Sequence, residues 1–159
     1  MSQLGAGPAA RAAISLSRDA ARDADEWAPV LADVPLFQNL SRRHLKRVAS
    51  LGRMRRYGPG TSIVRAGDAG SAFFVLLDGT ARVVTSKGRA RRLGSGDFFG
   101  EMALLDDSPR SADVVADGEV LTMTISRSAF GKLLRSEPAL SHELLRTLAG
   151  RLRAAEKTV

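Results

Sequence analysis

From Tyr57 onward, glycine turns interrupt the chain roughly every 8–12 residues, and this spacing constrains the fold more than any other feature. The turns are Gly58-Pro59-Gly60, Gly67-Asp68, Asp78-Gly79, Lys87-Gly88 and Gly94-Ser95-Gly96-Asp97. The runs between them, Ser62–Val64, Phe73–Leu77, Ala81–Thr85 and Arg89–Leu93, are rich in β-formers and too short for stable helices. Ala112–Val115 and Val120–Ile125 continue the alternation. Short strands joined by tight turns pair with antiparallel neighbours and must close or double over to hide their edges. The expected fold is therefore mainly β with flanking helices (α+β): an antiparallel β-roll, a double-stranded jelly roll, with N-terminal helices and a C-terminal helix pair.

The flanks read as helix. Ser41 is a good N-cap, and Leu45, Val48, Ala49 and Gly52 then fall on one side with Arg42, Arg43, Lys46 and Arg47 on the other. A solvated face explains such a stripe; the alternative is an electrostatic surface for an acidic partner or phosphate. Ser126 is expected to cap a short helix through Phe130, Leu133 and Leu134, which Ser136-Glu137-Pro138 ends. Ser141 is expected to cap the last helix, where Leu145, Leu148, Leu152 and Ala155 form a seam. That seam serves either a homodimer or packing against the chain's own roll. Residues 1–28 read as an Ala-rich extension, helical or mobile, and 29–159 as the folded domain.

Of the 159 residues 44% are apolar, enough for one globular core, and no apolar run exceeds Ala72 to Leu77. That is far short of a membrane span. The N-terminus lacks the pattern of a secretory signal, so a cytoplasmic protein is expected. Cysteine is absent and only His44 and His142 are present, so no metal ligand set, Cys nucleophile or Ser/His/Asp constellation is expected. The chain does not read as an enzyme, and no cofactor is implied. The net charge of +7 suggests nucleic acid at first sight. Yet residues 31–60 carry seven cations against Asp33 alone, while 61–126 carry seven against nine acids. The surplus lies on the helical flanks, which argues against a nucleic-acid binder.

One segment breaks the strand pattern with usable chemistry: Phe99-Gly100-Glu101-Met102-Ala103-Leu104-Leu105-Asp106-Asp107-Ser108-Pro109-Arg110-Ser111-Ala112. Gly100 permits close approach of a ligand to the backbone. The first N–H groups of a short helix lack intrahelical acceptors and favour an anion. Arg110 can add a forked pair of donors to the same anion. Glu101 suits a hydroxyl donor beside it, while balancing Arg110. The arrangement suits a sugar phosphate; an ordinary Glu101–Arg110 salt bridge is the plain alternative.

This segment resembles the phosphate-binding cassette of cyclic nucleotide-binding domains. The resemblance extends from Leu36-Phe37 through Tyr57-Gly58-Pro59-Gly60, Gly67-Asp68 and Phe73–Gly79 to the final helix. It implies that Glu101 accepts from the ribose 2′-hydroxyl and that Arg110 pairs with the cyclic phosphate, aided by the N–H groups of Ala103 and Ser111. Gly100 and Met102 would shape the ribose side, and Val83 would touch the base or simply fill core. Ser111 matches the catabolite-activator branch, which implies cAMP. Two departures stand out. Asp113 occupies a position where an apolar or hydroxyl residue is expected, and the last helix is too short for a base cap of the catabolite-activator kind.

The resulting expectation is a stand-alone, non-catalytic cAMP sensor whose helix movement is read by a protein partner. A cGMP-binding module, or a degenerate cassette in a structural or nucleic-acid-interacting regulator, is the alternative.

Overall fold

The computed structural model describes residues 24–88 and 90–157, with side chains from Trp27. Most of the extension expected over residues 1–28 lies outside the described residues. Helix α1 (Ala24–Leu31) crosses its boundary and buries Trp27 and Ala28 in the core. A 3₁₀ turn (Pro35–Phe37) and α2 (Arg42–Leu51) follow. The strands are β1 (Gly52–Tyr57), β2 (Ser62–Val64), β3 (Ala72–Asp78), β4 (Ala81–Thr85), β5 (Ala90–Leu93) and β6 (Phe98–Phe99). Helix α3 (Glu101–Asp106), β7 (Ala112–Ala116), β8 (Val120–Ser126), α4 (Arg127–Ser136) and α5 (Pro138–Lys157) complete the order.

All pairings are antiparallel and form two sheets, β1-β8-β3-β6 and β2-β7-β4-β5. The expected β-roll with flanking helices is what forms. Strand β3 shows why its sequence is continuously apolar. Phe73, Val75 and Leu77 face the helical layer, whereas Phe74 and Leu76 face the roll interior. A strand buried on both faces has no polar side to alternate with. Phe73 stacks on Phe130 of α4 at 4.5 Å, and Phe74 stacks on Phe99 of β6 at 4.8 Å. These two ring pairs anchor the two sides of the sheet.

Four local expectations need correction. Helix α2 stops at Leu51, and Gly52 opens a strand that the alternation did not signal. Strand β1 reads Gly-Arg-Met-Arg-Arg-Tyr, with Met54 its only aliphatic side chain, and its order comes from pairing with β8 over Gly52↔Ile125 to Tyr57↔Val120. Gly52 is required there, since a Cβ would meet Met123 Cγ at 2.6 Å. Strand β6, two residues long, was hidden inside the cassette. Ser141 does not cap α5: the helix starts at Pro138, whose missing N–H suits a first position, and the Ser141 hydroxyl donates to Leu134 O at 2.7 Å. The seam is split, because Leu148 packs on the helical core while Leu145 and Leu152 are exposed. Among the described residues no helix is long and apolar enough to cross a membrane.

Candidate functional site

Strand β6 delivers the chain into the roll, and Gly100 turns it out again. Its φ of 89° lies in the left-handed region, and a Cβ there would meet Arg110 Nη1 at 2.8 Å and Ala72 O at 3.1 Å. Only glycine fits without strain. Helix α3 then begins at Glu101, which is buried to 4% exposure although it is an acid. The loop after α3 returns through Asp107, itself left-handed at φ 59°. It delivers Arg110, whose backbone is fixed at both ends: its N–H donates to Asp68 O and its carbonyl accepts from Gly67 N.

Gly100, Glu101, Met102, Ala103, Arg110 and Ser111 all line one cavity in the roll, closed further by Val64, Val83, Arg91 and Val114. Thus every site residue expected from the sequence comes to the same place, although Met102 is largely exposed at its edge. The Arg110 guanidinium donates to Gly100 O (2.8 Å) and Ala72 O (2.7 Å) and lies over the Phe74 ring. Two of its five N–H donors are thereby held by carbonyls, which orients the rest of the fork. Burial lowers its proton affinity, Glu101 raises it and Arg127 lowers it again. An arginine so far from neutrality stays charged.

The expected Glu101–Arg110 balance is corrected in one respect. The ion-pair partner of Glu101 is Arg151 of α5, at 3.4 Å from Oε2. Arg151 also donates to Phe98 O at 3.1 Å and stacks over the Phe98 ring at 4.4 Å. Oε1 of Glu101 is buried with no hydrogen-bond partner among the described residues, an acceptor that costs free energy until a donor reaches it. The last helix, expected to be too short for a base cap, thus touches the site through Arg151 on the Glu101 side. Asp113 is half-buried and accepts from Ala66 N at 2.7 Å, so it fastens the loop before β3.

Three arginines of this region were not singled out in the sequence. Arg91 lines the cavity beside Val83, its cross-strand partner. Parity with the buried Leu93 would have placed it on the inner face. Burial and Arg151 lower its proton affinity, while Glu101 raises it. Arg151 follows Leu140, Leu144 and Leu148 on the inward side of α5, so the helical period carried the signal. Arg127 binds Gly70 O, Ala103 O and the Asp107 carboxylate, tying α3 to the start of α4. Its contacts join segments far apart in sequence, and no local pattern announces them.

Residues 54–137 match the model of the cyclic nucleotide-binding domain, more than half of the chain. The chain belongs to the cyclic nucleotide-binding domain family. As a member of this family it is 38% identical over 106 residues to a cAMP-dependent protein kinase regulatory subunit of Colletotrichum orbiculare, covering 65% of this chain and 27% of the relative. It is 38% identical over 111 residues to a cGMP-dependent protein kinase of Caenorhabditis elegans, covering 65% of this chain and 14% of that kinase. The chain thus spans little more than a quarter of these relatives' length at most. Among solved structures it resembles the Thermus thermophilus catabolite activator protein with a TM-score of 0.71 and 34% identity, over 78% of this chain and 61% of that one.

Proposed function

We propose that this cyclic nucleotide-binding domain is a non-catalytic sensor that takes cAMP in its cassette, and that a partner protein reads the resulting shift of the helices. The observation that carries this reading is the cavity lined by both Arg110 and Glu101, whose buried Oε1 has no hydrogen-bond partner among the described residues. A cyclic phosphate supplies the anion for Arg110, with the N–H groups of Ala103 and Ser111 beside it. The adjacent ribose hydroxyl supplies the missing donor for Glu101 Oε1. Gly100 and Met102 bound the ribose side, and Arg151, by holding Oε2, aims the free oxygen. Ligand contact with Glu101 is thereby felt by α5. The kinship with a cAMP-dependent kinase regulatory subunit supports the same ligand.

One observation favours cGMP. Arg91 and Val83 are directly paired on β5 and β4, so their side chains share a face of the cavity. An arginine there can reach the two acceptors of guanine, where adenine offers an amino donor instead. Titration calorimetry with both nucleotides separates the readings: tighter binding of cAMP supports the first, tighter binding of cGMP the second. Absence of heat with either, at tens of micromolar protein, would remove both.

A further inference from the structure

Between Asp33 and Asp68 the chain carries eight Arg and Lys residues and no acid, a run in which the whole net positive charge of the molecule could be housed. Helix α2 presents the densest part. Its inner face is buried through Leu45, Val48 and Ala49, so the outer face is rigidly held rather than waving on a loop. Arg42, Arg43, Lys46, Arg47 and Ser50 line a broad surface groove on that outer face. Folding stability does not explain this placement. Arg42 and Arg43 stand in the first turn, where the helix dipole disfavours cations, and that turn contains no acid. Within the described residues neither guanidinium has a carboxylate partner.

One residue of this groove, Arg47, already meets a carboxylate of the chain. Glu137, at the junction of α4 and α5, is buried to 3% exposure and receives His44 Nδ1 at 3.0 Å and Arg47 Nη1 at 3.6 Å. Its carbonyl also accepts from the N–H groups of Leu140 and Ser141 in the first turn of α5. Arg47 thus stands between the exposed groove and the helix junction.

We infer that the outer face of α2 is a docking surface for an acidic protein segment, whose carboxylates are received by Arg42 and Arg43 and reach Arg47 beside Glu137. Carboxylate is the group that complements this charge, and Arg47 at its edge already meets one of the chain's own. A docked segment competes with Glu137 for Arg47, so occupancy of the surface bears on the α4–α5 junction and, through α5, on Arg151. The surface does not depend on what the cassette binds, and its test needs no nucleotide.

The test is fluorescence anisotropy of the full chain with a labelled oligo-glutamate peptide, between about 50 and 200 mM salt, with a DNA duplex of matched charge as the second probe. The variants are the double charge reversal Arg42→Glu/Arg43→Glu and, as a control of equal sign on an exposed strand position, Arg92→Glu. Both lie at exposed positions, and far-UV circular dichroism checks that they fold. Saturable peptide binding that weakens with salt, falls about tenfold or more in the double variant and less than about twofold in Arg92→Glu is the expected result. Failure of the peptide to bind at the lowest salt, an equal loss in the control, or tighter binding of the duplex than of the peptide overturns the inference.

Discussion

At the scale of single residues, the site turns on a glycine, a glutamate and two arginines. Gly100 sits at φ 89° with Arg110 and Ala72 O crowding the place of a side chain. Gly100→Ala is expected to cost about 1–3 kcal/mol in urea unfolding and to displace the Arg110 fork, weakening cyclic nucleotide binding as well. A variant as stable and as tight as the parent would show that this backbone turn is not strained. Glu101 divides its oxygens: Oε2 pairs with Arg151, while Oε1 is buried with no hydrogen-bond partner among the described residues. Arg151→Ala is expected to weaken cAMP by about 1–3 kcal/mol yet leave a 2′-deoxy analogue nearly unchanged, because the lost contact acts through the hydroxyl acceptor. An equal loss for both ligands would make Arg151 a support of the fold alone. The six cassette residues were legible because they sit close together in one interrupted stretch of sequence. Arg151 lies fifty positions from Glu101, and only the inward helical period hints at it.

At the scale of elements, caps and parity decide what could be read. Ser41 and Ser126 were recognisable N-caps, and both hydroxyls accept from the N–H three residues on, His44 and Ala129. Ser126→Ala is expected to lower stability by about 1 kcal/mol, measured as a drop in thermal midpoint without loss of β-sheet signal. No change in the midpoint would mean that Phe130 and Leu133 hold α4 without its cap. Ser141 carried the same residue type and misled, since Pro138 three positions earlier could start the helix. Strand β1 was invisible for a different reason. Its arginines alternate with nothing apolar except Met54, and the strand exists because β8 offers it a ladder. Tertiary pairing overrides weak local preference in such strands.

At the scale of the whole molecule, the helical layer and the roll share one sheet, and this sharing links site to surface. Phe98 of β6 faces the helices and carries Arg151 over its ring, while its neighbour Phe99 faces the roll and lines the cavity. Arg127 adds a second tie from the cassette to α4. Arg151 and Arg127 thus link α3 to the C-terminal helix pair at two points, the contacts through which the proposed sensor would pass a ligand signal. Charge follows the same division: cations are in excess on α2 and over the C-terminal helices, while the cavity is lined by Arg91, Arg110 and Glu101. The central claim is that this cavity binds a cyclic nucleotide through that residue. It is tested most directly by titrating cAMP and cGMP calorimetrically into the parent chain and into Arg110→Ala. Saturable binding by the parent and a loss of about 2–5 kcal/mol in the variant are expected, as one partner of an ionic contact is removed. Equal affinity of the two proteins, or no binding by the parent, would contradict it.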